Sequence, residues 1–185
     1  MDNLSHAWRI YIIVMNHYKA GNIIGALALT LSDVMLKATQ TEAPSNISAA
    51  GLTLIGHVPG ISIHELSRGI GLSHPGTVRL VDRMVADDLV ERKRSETDGR
   101  AVALFLTVAG KTREQSILSS RRTVLSSALS SLSSEEHESL AQIAAKLVTA
   151  ILTDEEHALR VCRLCDSNAC KDCPIEAELS RKPTA

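Results

Sequence analysis

The chain has 185 residues, of which 44% are hydrophobic, and its formal net charge is −1 at pH 7. This length suits a globular domain with a real core, and the near-neutral charge argues against a protein that coats nucleic acid through bulk charge. The first residues lack a basic leader, and polar residues interrupt the apolar stretch at 7–31, which disfavours a signal peptide and a membrane span. We therefore expect a cytoplasmic protein with no membrane partner.

The N-terminal part of the chain carries an apolar stripe at helical spacing, which predicts an amphipathic helix. Before it, residues 8–18 are apolar almost all round and hold three of the four aromatic residues. We interpret this segment as core or interface, with an effector pocket as the alternative. The members of the stripe are Ile23, Ile24, Leu27, Leu31, Val34, Met35 and Ala38.

Two short helices joined by a glycine turn are predicted next. Ser62 and Glu65 have the spacing of a capping box, and Gly71 ends the first helix. The second helix is predicted over residues 73–86, with Ser73 as its N-cap and a proline in its first turn. One face of this helix is apolar. The other face carries His74, Arg79, Asp82 and Arg83.

Two runs of alternating residues, 89–94 and 100–106, flank Asp98-Gly99 and predict a β-hairpin. Residues 62–113 contain nine Lys/Arg and seven Asp/Glu, a local net charge of +2. A basic hairpin beside a helix with a polar face suits a DNA duplex, whereas a merely solvated hairpin is the alternative. A local basic face on a neutral protein favours a sequence reader over a packaging protein. The hairpin's basic residues are Arg92, Lys93, Arg94 and Arg100.

The chain after the hairpin is predicted to be helical. A long serine-rich helix follows the hairpin directly, and Ser133 with Glu136 caps the next helix. Together with the N-terminal stripe, these helices hold too many apolar residues for one small domain to bury, so we predict a homodimer. The stripe of the later helix consists of Leu140, Ile143, Ala144, Leu147, Val148 and Ile151.

All four cysteines lie near the C-terminus with the spacing C-x2-C-x4-C-x2-C, at Cys162, Cys165, Cys170 and Cys173. Four thiolates can complete a tetrahedral zinc site or hold an iron–sulfur cluster. The x4 link is short for paired zinc knuckles, so redox-active thiols and inert cysteines stay open as alternatives. We predict a metal site at these four residues, with zinc as the first candidate and an iron–sulfur cluster as the second.

No catalytic constellation is evident in the sequence. It contains no glycine-rich phosphate loop after a strand, no H-E-x-x-H and no nucleophile motif. We therefore predict that the chain is not an enzyme and has no catalytic residues.

Residues 51–111 resemble the winged helix-turn-helix of the MarR family of transcription regulators. The most specific segments are RLVDRM at 79–84, LVERKR at 89–94 and DGRAVALFLT at 98–107. The resemblance implies that residues 73–86 form the recognition helix and that Arg100 enters the minor groove, oriented by Asp98. The DNA-binding residues it implies are Ser73, His74, Pro75, Gly76, Thr77, Arg79, Arg83, Arg92, Arg94, Asp98 and Arg100.

Two residues depart from expectation for such a module. Asp88 stands where the family usually has a glycine in the turn after the recognition helix, and aspartate tolerates a left-handed backbone better than most residues. Gly76 lies inside a helix, where glycine costs up to about 1 kcal/mol relative to alanine. We interpret Gly76 as allowing close approach of the helix backbone to DNA, with a merely tolerated first-turn glycine as the alternative.

The sequence thus predicts a mainly α fold in which long dimerisation helices flank a winged helix-turn-helix. The predicted parts are N-terminal helices (1–45), the DNA-binding domain (46–112), C-terminal dimerisation helices (113–160) and a cysteine-rich tail (161–185). The predicted function is a homodimeric regulator that reads a palindromic operator in double-stranded DNA and responds to a small-molecule effector, a metal or a redox signal. The alternative is a redox or electron-transfer metalloprotein whose winged domain serves as a scaffold.

Overall fold

The computed structural model describes residues 3–94, 102–170 and 172–181, with side chains from residue 18 onward. Within these ranges the chain is mainly helical, as predicted, and contains one two-stranded sheet. Its elements are α1 Asn3–Gln40, α2 Asn46–His57, α3 Ile63–Ile70, α4 His74–Ala86, β1 Val90–Arg94, β2 Val102–Leu106, α5 Val108–Leu129, α6 Ser134–Ala150, α7 Glu155–Cys162 and α8 Pro174–Arg181.

The N-terminal part is one helix of 38 residues, α1, where the sequence predicted several. From Tyr18 to Gln40 it is long and apolar enough to cross a membrane by length and composition, with a mean hydropathy of 1.2. A signal sequence or a core helix of a soluble protein passes the same test, so this property alone is weak evidence for a membrane span. Residues 18–30 are exposed along their whole length, so this chain alone does not cover the helix.

The main core joins α2, α3, α4, the hairpin and the first half of α5. Helix α2 lies at its centre, because eight of its twelve residues are buried. The side chains that fill this core without reaching solvent include Leu52, Leu54, Ile55, Leu66, Val81, Leu104 and Ile117. The winged module therefore has a complete hydrophobic core within one chain. This core holds in place the elements that project from the module.

Local capping fixes the two helices of the helix-turn-helix as the sequence predicted. The Ser62 amide donates to the Glu65 carboxylate at 2.8 Å, and the Glu65 amide donates to the Ser62 hydroxyl at 3.2 Å. Gly71 ends α3 in the left-handed conformation, with φ 70°. The turn into α4 is thus set by interactions among neighbouring residues, and Gly71 adopts the left-handed conformation without the steric cost of a Cβ.

Strands β1 and β2 pair antiparallel with Val90 opposite Leu106 and Arg94 opposite Val102, which confirms the hairpin. The predicted alternation of β2 holds only in part, because Ala103 is buried together with Leu104 and Leu106. Ala103 forms an isolated bridge with Ser62, so the N-cap residue of α3 lies against the strand at this position. The tip of the hairpin, including Asp98 and Arg100, lies outside the described residues.

In the C-terminal half, α6 lies away from the main core, and α7 packs against the core again. Helix α5 runs unbroken through the boundary predicted at 112, and α7 spans the one predicted at 160. Helix α6 begins with the predicted capping box of Ser133 and Glu136, but none of its residues is buried in the single chain. Helix α7 then packs along α3, and α8 contacts α6.

Candidate nucleic-acid interface

Helix α4 presents a polar, basic face to solvent and an apolar face to the core. Leu80, Val81 and Met84 are buried against α2 and the hairpin. The exposed face consists of His74, Pro75, Arg79, Asp82 and Arg83, all predicted from the sequence to face outward or to bind DNA. Arg79, Asp82 and Arg83 together line a shallow surface cleft. This face has the donors and positive charges that duplex recognition requires.

The Thr77 side chain, which was predicted to contact DNA, is fully buried in this structure and does not lie on the exposed face. Its hydroxyl donates to the Ser73 carbonyl at 3.1 Å, so the residue belongs to the inner face of α4. The signal was available in the sequence, since positions 77, 80, 81 and 84 follow the spacing of one helical face.

Ser73 acts as the N-cap of α4, and its hydroxyl accepts the Gly76 amide at 3.3 Å. A Cβ at Gly76 would lie 3.2 Å from the Ser73 hydroxyl, a tight contact. The capped end of α4 is exposed, and its remaining amides make a favourable site for a backbone phosphate.

Arg92 connects the wing to the recognition helix. Its guanidinium donates to the Asp82 carboxylate at 2.7 Å. The carboxylate therefore neutralises part of the positive charge of Arg92. Lys93 is held by Glu91 at 2.7 Å and lies 5.1 Å from the centre of the Phe105 ring. Arg94 is exposed at the end of β1. The Arg92–Asp82 pair is a direct contact between β1 and α4 that was not predicted from the sequence.

The turn after α4 contains Asp88, whose φ of 56° is left-handed, as the sequence predicted. The Asp88 amide donates to the Val85 carbonyl at 3.0 Å, and the Leu89 amide donates to the Met84 carbonyl at 2.8 Å. This is the hydrogen-bond pattern of a Schellman motif, which usually places glycine at the left-handed position. The turn directs the chain from the recognition helix into β1.

Three of the four cysteines share a second, smaller apolar cluster between α6, α7 and α8. Cys162 is buried in it with Leu152, Ala158 and Ile175, and Cys165 and Cys173 pack against it. Cys170 is exposed, and all four thiols are free. Burial, and then repulsion from the Cys165 and Cys173 thiolates, raises the pKa of Cys162 to about 11. Burial also raises the pKa of Cys165.

These thiols are close enough to influence one another, but they are not arranged as a ligand set. Among the described residues, no group of three or more His, Cys, Asp or Glu side chains is placed to hold a metal ion. Raised thiol pKa values are what buried cysteines show without a cation, whereas a bound cation would stabilise the thiolates. A metal would therefore require the cysteine side chains to change their arrangement.

Helix α7 links the cysteine cluster to the helix-turn-helix, which the sequence analysis missed. The Arg68 guanidinium pairs with the Glu156 carboxylate, and Arg160 Nε donates to the Arg68 carbonyl at 3.1 Å. Behind α7, the buried Asp166 accepts a hydrogen bond from Arg122 of α5 at 2.9 Å. Because these partners lie far apart in sequence, no local pattern signals the contact.

Comparison with known proteins finds similarity to the MarR family in the central part of the chain. A MarR family model matches residues 50–101. The chain is 27% identical over 100 residues to the HTH-type transcriptional repressor MdtR of Bacillus subtilis, covering 54% of this chain and 64% of MdtR. It is 32% identical over 93 residues to the HTH-type transcriptional regulator BilQ of Clostridium symbiosum, covering 50% of this chain and 65% of BilQ. The matches thus span slightly less than two thirds of either relative.

Solved structures show the same fold. A MarR family protein from Bacillus stearothermophilus has a TM-score of 0.65 and 23% identity, and YusO from Bacillus subtilis has 0.60 and 21%. Both comparisons cover 74% of this chain and 96% of the other. A Staphylococcus aureus MepR mutant bound to an oligodeoxyribonucleotide has a TM-score of 0.51 and 16% identity, covering 72% of this chain and 98% of MepR. At these identities the likeness shows the fold alone.

Proposed function

We propose that the chain is a regulator of the MarR type: a homodimeric transcription regulator that reads a palindromic operator in double-stranded DNA. The observation that carries this proposal is the exposed basic face of α4, which is capped at Ser73 and braced to the wing by Asp82 and Arg92. A fixed helix of this kind fits the major groove, and the hairpin beside it reaches the backbone or the minor groove. We place its activity in the cytoplasm, without a membrane partner.

Dimerisation is supported by the apolar surface that one chain leaves uncovered. Helix α1 exposes Ile23, Ile24 and Leu27 by about half of their surface: 55%, 48% and 47%. Helix α6 exposes Ile143 by 54% and Leu147 by 46%. An apolar surface of this extent on two long helices is typical of an interface, and a two-fold dimer would present two copies of α4 to successive half-sites.

DNA binding is tested by selecting sites from a random duplex library with the full chain and then titrating the recovered duplex. Arg79→Ala, Arg83→Ala and, at the wing tip, Arg100→Ala are each expected to weaken binding by about 1–3 kcal/mol if the arginine contacts a base. Arg181→Ala is the matched control, because this exposed arginine lies at the end of α8. Recovery of no preferred sequence, or unchanged affinity in all three variants, would contradict the proposal.

We further propose that the four cysteines bind zinc, with an iron–sulfur cluster as the second candidate. We also propose that binding at this site changes the DNA affinity of the helix-turn-helix. The chemistry that supports this is the gathering of three thiols in one cluster and the placement of α7 directly on α3. A bound ion would hold α7 and α8 together and thereby favour one position of α7 against α3. Metal analysis and the visible spectrum of anaerobically purified protein test for the ion.

Cysteine variants test whether that site has a regulatory role. Cys162→Ser and Cys170→Ser are expected to abolish stoichiometric metal binding and to change operator affinity by about 1–3 kcal/mol, the usual size of an allosteric coupling. A purely structural site would lower thermal stability and leave the DNA affinity of the folded protein intact. Duplex binding at physiological salt also separates the regulator from a redox carrier that uses the winged domain only as a scaffold.

A further inference from the structure

Asp82 is the one acidic residue of α4, and it lies among the basic residues of the exposed face. It follows Arg79 by one helical turn and directly precedes Arg83, and the three side chains line the same shallow cleft. More than half of the Asp82 side chain, 54%, is exposed. On a helix that enters a groove between phosphates, a carboxylate at this place opposes binding by its charge. Bulk electrostatic attraction therefore does not explain why an acid stands here.

The two oxygens of the Asp82 carboxylate have different surroundings. Oδ1 accepts the hydrogen bond from Arg92 of β1, whereas Oδ2 accepts no hydrogen bond from the described residues. The contact with Arg92 favours one orientation of the carboxylate and leaves Oδ2 as an available acceptor at the surface of α4. Because a charged acceptor makes stronger hydrogen bonds than a neutral one, Oδ2 is suited to bind a donor on another molecule.

Arg79 and Arg83 differ from Arg92, because neither pairs with a carboxylate among the described residues. A guanidinium group only donates hydrogen bonds, whereas a carboxylate only accepts them. The outer face of α4 thus presents one acceptor beside two unpaired donors. A binding partner that fits this face has one donor next to acceptors.

The major-groove edge of a C·G pair has this complementary pattern. Guanine offers the acceptors N7 and O6, which one arginine can bind together, and cytosine offers its N4 amino group, which a carboxylate accepts. Thymine has the O4 acceptor in place of an amino group, so it would repel the Asp82 carboxylate. Adenine carries an amino group beside the N7 acceptor, a pattern that an amide side chain matches better than a carboxylate does.

We propose that Asp82 is a specificity-determining residue that accepts a hydrogen bond from the N4 amino group of one cytosine in each half-site. One of the neighbouring arginines binds the guanine of that pair. The carboxylate favours cytosine by a hydrogen bond and rejects bases with an acceptor at this place by repulsion, and specific interfaces combine both effects. This inference rests on the proposed reading of DNA, and it adds which base pair the helix selects.

Selection from a random duplex library with the full-length wild type and with Asp82→Asn tests this assignment. Asparagine keeps the size of the side chain and removes its charge, and an exposed ion pair contributes little to stability, so the variant is expected to fold. The duplex selected by the wild type should contain a C·G pair whose replacement by T·A weakens binding about tenfold, within the usual cost of a mismatched base pair. Asp82→Asn should lose this preference and favour adenine at the same position, because an amide matches the N6 and N7 atoms of adenine.

The amino group itself is tested with a duplex in which that cytosine is replaced by 2-pyrimidinone, which lacks the N4 group. The wild type should bind this duplex about tenfold more weakly than the original. Asp82→Ala, which has no acceptor, should bind both duplexes alike. Asp87→Asn is the matched control, because it removes the same charge from the C-cap of α4, and it should leave every base preference unchanged.

Three results would each overturn this inference and leave the reading of DNA intact. They are an unchanged set of base preferences in Asp82→Asn, the same change of preference in Asp87→Asn, and an equal loss of affinity for the pyrimidinone duplex in the wild type and Asp82→Ala. A wild-type protein that selects no sequence at all would overturn the proposed function as well. The failure of the base assignment and the failure of DNA reading are therefore told apart.

Discussion

Asp88 shows that the left-handed turn at the end of a helix can form with a residue other than glycine. The Schellman pattern at the end of α4 requires a left-handed residue, and Asp88 adopts φ 56° where glycine would carry no steric cost. The position follows from the sequence because the turn length, the end of the apolar stripe and the start of β1 are all local. The cost to the fold is a strained backbone next to the recognition helix.

Asp88→Gly is expected to raise the free energy of unfolding by about 0.5–1 kcal/mol, because it removes this strain at a small entropic cost in the unfolded chain. Asp88→Val is the opposite test, since a β-branched residue is least tolerant of a left-handed backbone. Chemical denaturation measures both. A destabilised Asp88→Gly variant would mean that the carboxylate itself stabilises the turn.

Glu114 of α5 is a second residue in an unfavourable environment, because its surroundings disfavour the charged form of its carboxyl. Its carboxyl packs against Gly56 of α2, where a Cβ would collide with it. Burial, and then the charge of Asp166, raises the pKa of Glu114 above its ordinary value of 4.5, although Lys111 partly opposes this. The folded state therefore holds the proton to a higher pH than the unfolded state, and stability is lost as pH rises through that window.

Glu114→Gln should consequently stabilise the protein above the raised pKa and make little difference well below pH 4.5. We expect a gain below about 1 kcal/mol, because the carboxyl is only half-buried and solvent screens it. Thermal unfolding across pH measures the effect. Glu138→Gln on the exposed surface of α6 is the matched control, and an equal gain in both variants would assign the effect to net charge.

At the scale of elements, sequence reasoning succeeded where contacts are local and failed where they are distant. The caps of α3, α4 and α6 and the pairing of β1 with β2 follow from residues a few positions apart. The packing of α7 on α3 does not, since Arg68 and Glu156 are 88 positions apart and are ordinary surface residues in sequence. The spacing of the cysteines shows that they lie close together in sequence, but it does not show that α7, which contributes to their cluster, packs on α3.

Gly69 lies where α3 packs closely against both α2 and α7. A Cβ there would collide with Leu54 and lie 3.2 Å from the Leu159 Cβ. Gly69→Ala is therefore expected to destabilise the protein by about 1–3 kcal/mol through overpacking. If the contact also carries a signal, the folded variant should show a changed operator affinity. Unchanged denaturation and DNA titration curves would remove α7 from both roles.

At the scale of the whole molecule, the apolar stripes of α1 and α6 could be located from the sequence, but their partner could not. The single chain buries none of α6 and leaves residues 18–30 of α1 exposed. The helical spacing of apolar residues shows which face of each helix must be buried, but it does not show which surface buries it. A second copy of the chain and a lipid surface both provide apolar cover, and the hydropathy of α1 alone does not separate them.

Leu147→Glu tests the second copy. If α6 lies in a dimer interface, the introduced carboxylate loses its water without gaining a partner, and the dimer should dissociate or unfold. Leu31→Glu in the stripe of α1 should act in the same way. Val108→Glu is the matched control, because Val108 is 84% exposed at the start of α5, where a negative charge is favourable for the helix.

Sedimentation of detergent-free protein at micromolar concentration measures the outcome. The wild type and Val108→Glu should sediment as dimers, and Leu147→Glu should shift to a monomer or lose its cooperative unfolding transition. A wild-type protein that is a well-folded monomer would contradict the dimer. A wild-type protein that stays in solution only with detergent would instead indicate that the exposed face of α1 contacts lipid. Detergent would then shield the apolar surface that a second chain was expected to bury.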